Sequence, residues 1–506
     1  MVGIPKSNRC DFCRRRKTKC DEDWPTCGAC KKAGKECSGP SKRVKFVNNG
    51  KHRGVGDHLG DLTRDSLDTN LTDETSSNTD STGSLLNIKN RTMANGATFS
   101  KLRIYNRKPQ IPSNPPGTEA DLLGARVITC LKSGEGTGYS ISMFLTTLVY
   151  VPPLLERNEA LFDATSLLLS TWQKLCQGIS PHELFDLRSY NRALRSLQKV
   201  LNDPDEQISH STLAATIYLQ MTEYLFDYAR GVNQISHSNG IHSILMQKGV
   251  PKPGDNFGCQ LLLDSFGFMF RLLLTGGIEN FYIQPEWNHT LTSFFAQFKT
   301  RTPIVVEMSK LLTHATVVAD VTRRMSQIWE SPSYIPDAQE TQELSATIDE
   351  LSANFRALND ITIEPLLESK MIYEVADPES PFGTSYKFPN GITALHFANV
   401  YTFNIVVNRL RQELNKMQGI SDPMLEAECY DWSSRIWRTC RYSQSLRPLC
   451  AVAFNSSLCV SYTAAGPVEQ EFLLASLRES DGYKKSSESR WTDEIIRSKL
   501  WVLMGR

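Results

Sequence analysis

Residues 10–20 read CDFCRRRKTKC and residues 27–37 read CGACKKAGKEC. Both follow the pattern C-x2-C-x6-C, so one unit is used twice, with Cys10, Cys13 and Cys20 matched by Cys27, Cys30 and Cys37. Two cysteines separated by two residues can reach one metal ion, which makes each unit a chelating half. One tetrahedral ion would use four thiolates and strand two. Two tetrahedral ions need eight ligand positions, and six cysteines fill eight only when two of them bridge. The relation between the halves makes matched positions the natural bridges, and Cys10 and Cys27 open their halves. Soft thiolates with no histidine in the set favour Zn2+, two ions per cluster.

The residues between the cysteines indicate what such a cluster addresses. Arg14, Arg15, Arg16, Lys17 and Lys19 crowd the first half, with Thr18 the one uncharged residue between Cys13 and Cys20. In the second half Lys31 and Lys32 keep the charge of Arg14 and Arg15, whereas Ala33 and Gly34 stand where Arg16 and Lys17 stand in the first. This asymmetry predicts that the first half reads a target and the second steadies it. Arg and Lys suit guanine edges in the major groove and phosphate oxygens. Gly34 is placed to stop a helix, since glycine tolerates the left-handed cap conformation.

Residues 9–38 resemble the fungal two-zinc, six-cysteine binuclear cluster of transcription factors. The resemblance covers the six cysteines, the basic run before the third, the Cys20-Asp21 step and Pro25 between the halves. It implies a short helix and an extended strand in each half, with the first helix entering the major groove at a CGG-like triplet of double-stranded DNA. It further implies base contacts by Arg16 and Lys17, and phosphate contacts by Arg9, Arg14, Arg15, Lys19, Lys31 and Lys32. Each ligand position is filled by protein, so the zinc is structural and leaves no open position for catalytic water.

Other cysteine chemistries fit less well. A disulfide framework needs an oxidising compartment, and the chain opens MVGIPKSNRC without an apolar signal segment. A redox CxxC pair needs a βαβ setting, and a RING or LIM site needs eight metal ligands.

Charge is divided along the 506 residues. Residues 1–53 carry 15 Lys and Arg against 5 Asp and Glu, although the whole chain has a formal net charge of only +1. That division predicts a polyanion-binding head on a body that does not bind polyanions. Cys130, Cys176, Cys259, Cys429, Cys440, Cys450 and Cys459 show no tight pairing and read as reduced, mostly buried residues. The most apolar stretch, around residues 258–275, contains Asp264 and Arg271, so the reading expects an intracellular soluble protein.

The expected organisation is a zinc cluster with a basic tail over residues 1–47, a disordered linker over 48–116 and a large all-α domain over 117–506. Residues 57–84, DHLGDLTRDSLDTNLTDETSSNTDSTGS, hold too little apolar surface to offset their ordering entropy. No heptad pattern follows the cluster over 42–60. From residue 117 the period becomes helical, as in Leu161, Ala164, Leu168, Trp172 and Leu175. Further stripes join Tyr190, Leu194, Leu197 and Leu201, then Leu213, Ile217, Met221 and Leu225, then Phe403, Val407, Leu410 and Leu414. Period-two alternation is nearly absent. Residues 189–225 and HSNGIHSILMQKG (237–249) resemble the helical regulatory domain of the same fungal factors, the latter stretch as a turn.

No catalytic signature is present. His237 and His242 are five residues apart, whereas a helical zinc pair needs four, and both read as solvent-facing or capping. The leading function is a nuclear, sequence-specific DNA-binding regulator of RNA polymerase II genes, of the kind that controls metabolism or secondary-metabolite clusters in fungi. Its partners would be DNA, a second copy of the chain as a homodimer, and a small effector or coregulator at the helical domain, with no membrane. The competing reading is an effector- or partner-binding protein that the cluster tethers to DNA without sequence preference. An enzyme is not expected.

Overall fold

The computed structural model describes residues 10–16, 18–21, 26–35, 37, 117–226, 231–298, 303–330, 337–480, 482–483 and 491–503. The expected linker and basic tail lie outside these residues.

In the N-terminal segment, Cys10 is followed by helix α1 (Asp11–Arg15) and Cys27 by helix α2 (Gly28–Lys32). The internal repeat extends to the hydrogen bonds. Arg16 N donates to Phe12 O at 3.2 Å and Ala33 N to Ala29 O at 3.2 Å. Thr18 N donates to Cys13 O at 3.0 Å and Lys35 N to Cys30 O at 3.1 Å. Gly34 sits just past α2 with φ +57°, the left-handed stop expected of it. Five cysteines form the buried centre, with Phe12, Ala29 and Cys37 packed against them. A centre with so few aliphatic groups cannot offset chain entropy by burial, so the segment needs a covalent or metal staple.

The rest of the described chain is helical. Its first half runs through α3 (Glu119–Gly134), α4 (Glu159–Cys176), α5 (Pro181–Leu184), α6 (Leu187–Leu201), α7 (His210–Phe226), α8 (Gly231–Lys248), α9 (Asn256–Asp264), α10 (Phe266–Leu274) and α11 (Pro285–Ala296). Helix α4 packs most extensively on α7 and α6. Its stripe Leu161, Ala164, Leu168, Trp172 and Leu175 is buried, and Trp172 Nε1 donates to Tyr139 O at 2.8 Å. Helix α7 differs from the expectation of a single stripe. Besides Leu213, Ile217, Met221 and Leu225, its Thr212, Thr216, Gln220 and Glu223 are buried as well. A helix covered on every side is the axis of its core.

The second half contains α12 (Pro303–Glu330), α13 (Ala338–Leu358), α14 (Glu364–Glu368), α15 (Gly391–Met417), α16 (Pro423–Trp437), α17 (Cys440–Ser445), α18 (Asn455–Ser461), α19 (Pro467–Ser480) and α20 (Asp493–Leu503). Here α15 is the axis, flanked by α16, α13, α18 and α12. Val407, Leu410 and Leu414 are fully covered, and Phe403 is half-buried against Phe355 with ring centroids 5.3 Å apart. Phe270 on α10 meets Phe403 edge-on at 6.0 Å, so the two cores touch.

Two departures from the helical reading stand out. Strands β1 (Tyr373–Ala376) and β2 (Thr384–Lys387) form an antiparallel hairpin, with Tyr373 opposite Lys387 and Ala376 opposite Thr384. Four-residue strands are too short to show alternation. The hairpin loop is held from α17, where Arg441 bonds Asp377 at 2.9 Å and Glu379 at 2.7 Å. The stretch 237–249 is not a turn but the C-terminal part of α8, stopped at Gly249 with φ +76°. His237 on it is buried rather than solvent-facing, with Nε2 3.0 Å from Glu223 Oε1, and His242 is half-buried beside Phe281. The sequence spacing was compatible with an exposed face, and the competing factor is the buried Glu223 carboxylate, which gives the imidazole an internal partner.

Among the described residues no single helix is long and apolar enough to cross a membrane, and the apolar stretch around 258–275 is split into α9 and α10, bent by 48°. Of the seven C-terminal cysteines, none joined in a disulfide, six are buried and Cys176 is exposed.

Gly138 is the tightest junction. Its carbonyl accepts from both Leu449 N and Cys450 N at 3.0 Å. A Cβ at this position would lie 1.8 Å from Arg447 O, a backbone atom that cannot swing aside. Gly138→Ala should therefore destabilise the body by about 2–3 kcal/mol, in the range for overpacked sites. Gly117→Ala, where nothing lies within 4 Å, should leave the melting temperature unchanged. Thermal melts of the two variants beside the parent check this.

Candidate metal centre and nucleic-acid interface

The six cysteines form two groups of four, Cys10, Cys13, Cys20 and Cys27, and Cys10, Cys27, Cys30 and Cys37, with the Sγ atoms of each group within 4.8 Å of one another. Cys10 and Cys27 belong to both, as the ligand arithmetic requires. The Sγ separations are 3.7 Å for Cys10–Cys27, 3.6 Å for Cys10–Cys30 and 3.7 Å for Cys13–Cys27. Four sulfurs around zinc at ~2.3 Å define a tetrahedron with edges of about 3.8 Å. The observed spacings match those edges, so the donor set fits two zinc ions. Burial pushes the thiols of Cys13 and Cys30 up, Cys30 to about 12. Thiols crowded in this way surrender their protons when a divalent cation takes their place. Backbone assists as well, since Cys13 N lies 3.4 Å from the bridging Cys10 Sγ.

The Cys20-Asp21 step has a structural purpose that the sequence did not disclose. The Asp21 carboxylate accepts from Gly28 N at 2.8 and 3.1 Å, placing a negative charge on the first turn of α2, where Cys27 gives no side-chain cap. A Cβ on Gly28 would stand 2.4 Å from Asp21 Oδ2, so glycine leaves room for the carboxylate. One half of the cluster thus holds the helix of the other.

The basic residues lie on the outside. Arg15 in α1, Arg16 just beyond it, and Lys19, Lys31 and Lys32 are exposed, and among the described residues none of them forms an ion pair. Arg16 Cζ lies 5.5 Å from the centroid of the Phe12 ring, so the guanidinium is steadied against a side chain that packs on the cysteines. Phe12 was not singled out from the sequence; its signal was its place between Cys10 and Cys13. Ala33 and Gly34, at the positions matched to Arg16 and Lys17, offer nothing comparable. Arg9, Lys17 and the side chain of Arg14 lie outside the described residues.

In the helical body, one fully buried carboxylate ties three helices. Glu223 Oε1 on α7 accepts from the Tyr190 hydroxyl of α6 and meets His237 of α8. Asp203 and Asp205 are exposed just beyond α6.

Residues 9–45 match the family model described as the Fungal Zn(2)-Cys(6) binuclear cluster domain. Such a domain implies a fungal DNA-binding transcription regulator, a class that is typically non-enzymatic. No curated protein and no solved structure matches the chain.

Shared sulfurs give an unequal prediction for metal content. Cys37 serves one ion, so Cys37→Ser should keep one of two zincs per chain. Cys10 serves both, so Cys10→Ser should lose both. Native mass spectrometry of the zinc-loaded chain reads the count, and one zinc retained by each variant would contradict bridging.

Proposed function

We propose that this protein is a sequence-specific activator or repressor of RNA polymerase II genes that acts in the nucleus, with metabolic or secondary-metabolite genes as its targets. Zinc shapes the cluster, α1 enters the major groove, and Arg16 and Lys17 address the base edges of a CGG-like triplet. Arg9, Arg14, Arg15, Lys19, Lys31 and Lys32 neutralise phosphates on either side. The helical body, over 117–506, serves regulation and pairing into a homodimer, and takes a small effector or coregulator.

The observation that carries the reading is an asymmetry on a symmetric scaffold. The two halves share cysteine spacing, helices and backbone bonds, yet only the first presents a long cationic side chain seated on an aromatic ring at the end of its helix. A phosphate-binding appendage without base preference has no need of that difference. Arginine with two parallel donors suits guanine O6 and N7, whereas Lys19, Lys31 and Lys32 supply charge that is blind to sequence.

In vitro selection of DNA by the zinc-loaded chain should enrich CGG-type triplets. Arg16→Ala or Lys17→Ala should then cost about 1–3 kcal/mol on the selected duplex and relax base preference. Lys31→Ala should weaken selected and random duplexes alike. Log affinity should fall linearly with log salt, at about −0.9 per phosphate neutralised. Equal losses on both duplexes for all three variants, measured by fluorescence anisotropy, would remove the assigned division of labour.

A further inference from the structure

Beside the β1–β2 hairpin lies an open cavity of about 710 Å³, walled by α14, the link from α14 to β1, the hairpin and the end of α16. Cavities of this size hold small organic molecules. The backbone leading to it is irregular. A five-residue π-helix, Asn359–Ile363, runs directly into α14, and such segments recur at functional sites. After α14 the chain reverses, with Lys370 N bonded to Leu367 O at 3.1 Å and Ile372 N to Leu366 O at 3.0 Å. The reversal needs a left-handed residue, and Lys370 fills it with φ +55°. At every other described position with positive φ the residue is glycine. Lysine at a place that glycine would occupy without strain points to a use for its side chain.

Lys370 lines the cavity together with Arg438. Glu364, Asp431 and Glu374 line the cavity as well, Glu374 being hydrogen-bonded to the same Thr384 hydroxyl as Arg438. Arg435 is matched by Glu364 at 3.2 Å and Asp431 at 3.6 Å, and it donates to the Tyr401 hydroxyl at 2.8 Å. Glu374 accepts from Thr384 Oγ1 at 2.9 Å. Arg438, by contrast, bonds neutral groups, Thr384 Oγ1 at 3.1 Å and Ser434 at 3.2 Å. Among the described residues, neither Lys370 nor Arg438 has a carboxylate partner. Leu367, Ile372 and Tyr386 add apolar and aromatic surface to the same walls.

We propose that this cavity binds a small aromatic carboxylate, with Lys370 and Arg438 holding its carboxylate and Leu367, Ile372 and Tyr386 contacting its ring. The site deepens the regulatory reading, and rests on that reading only for what the ligand controls. Occupancy is relayed locally through one bond, Tyr386 N to Arg438 O at 2.9 Å, which joins the hairpin to the end of α16.

The test uses full-length, zinc-loaded protein with 1-naphthoate as the probe, 1-naphthamide as its neutral counterpart and inorganic phosphate as a plain anion. Saturating 1-naphthoate should raise the melting temperature by about 2–4 °C, with no shift from the other two. Arg438→Gln should abolish the response. Lys370→Gly should raise the melting temperature of the unliganded protein, by relieving the left-handed strain, while weakening the response at least tenfold. No response in the parent protein, an equal response to naphthamide or phosphate, or a full response in Lys370→Gly would each overturn the proposal. Retention on a CGG duplex is measured on the same sample. Duplex binding without a naphthoate response overturns the cavity site alone; a naphthoate response without duplex binding supports the site and overturns the DNA reading.

Discussion

Cys10 and Cys27 must each satisfy two metal ions, and the geometry of the N-terminal segment follows from that shared coordination. Sulfurs shared by two ions would bring the two halves together at their opening residues. Each helix then begins directly after a bridge, so its direction is set by the metal rather than by an apolar core. Asp21 adds a second cross-tie by capping the helix of the opposite half. The basic side chains gain a fixed platform from a segment with almost no aliphatic interior.

The helical body is organised by a different rule. Two helices, α7 and α15, are covered on nearly all sides, and the amphipathic helices around them turn one face inward. Several polar residues on these axes find partners inside the body. Thr216 returns its hydroxyl to Thr212 O, Asn404 donates to Val400 O, and Glu223 collects Tyr190 and His237. Burial on an axis therefore does not require an apolar sequence when polar groups such as these find internal partners.

This explains which features were legible in the sequence. The cysteine spacing determines the ligand groups and the bridges because it states a stoichiometry that few arrangements satisfy. The α4 stripe was legible because that helix has one inward face. The environment of His237 was not, since its partner Glu223 lies on another helix. The hairpin escaped notice because Tyr-Glu-Val-Ala and Thr-Ser-Tyr-Lys carry charges on short strands whose hold comes from Arg441, far along the chain. Lys370 gave no signal at all: a left-handed lysine is visible only in backbone angles. The assigned roles of Arg16 and Lys17 rest on the resemblance and on the asymmetry of the halves.

The junction at Gly138 bears on how the chain is made. Leu449 belongs to the core of the first half, and Cys450 Sγ reaches Thr137 O across 313 residues of sequence. A ribosome delivers the chain from its N-terminus, so the first half emerges before Leu449, which completes its core. Until then its apolar lining is open to water and to other chains. Folding of the first half thus waits on residues near 450, and a product cut short before that point carries an unfinished core that quality control can sense.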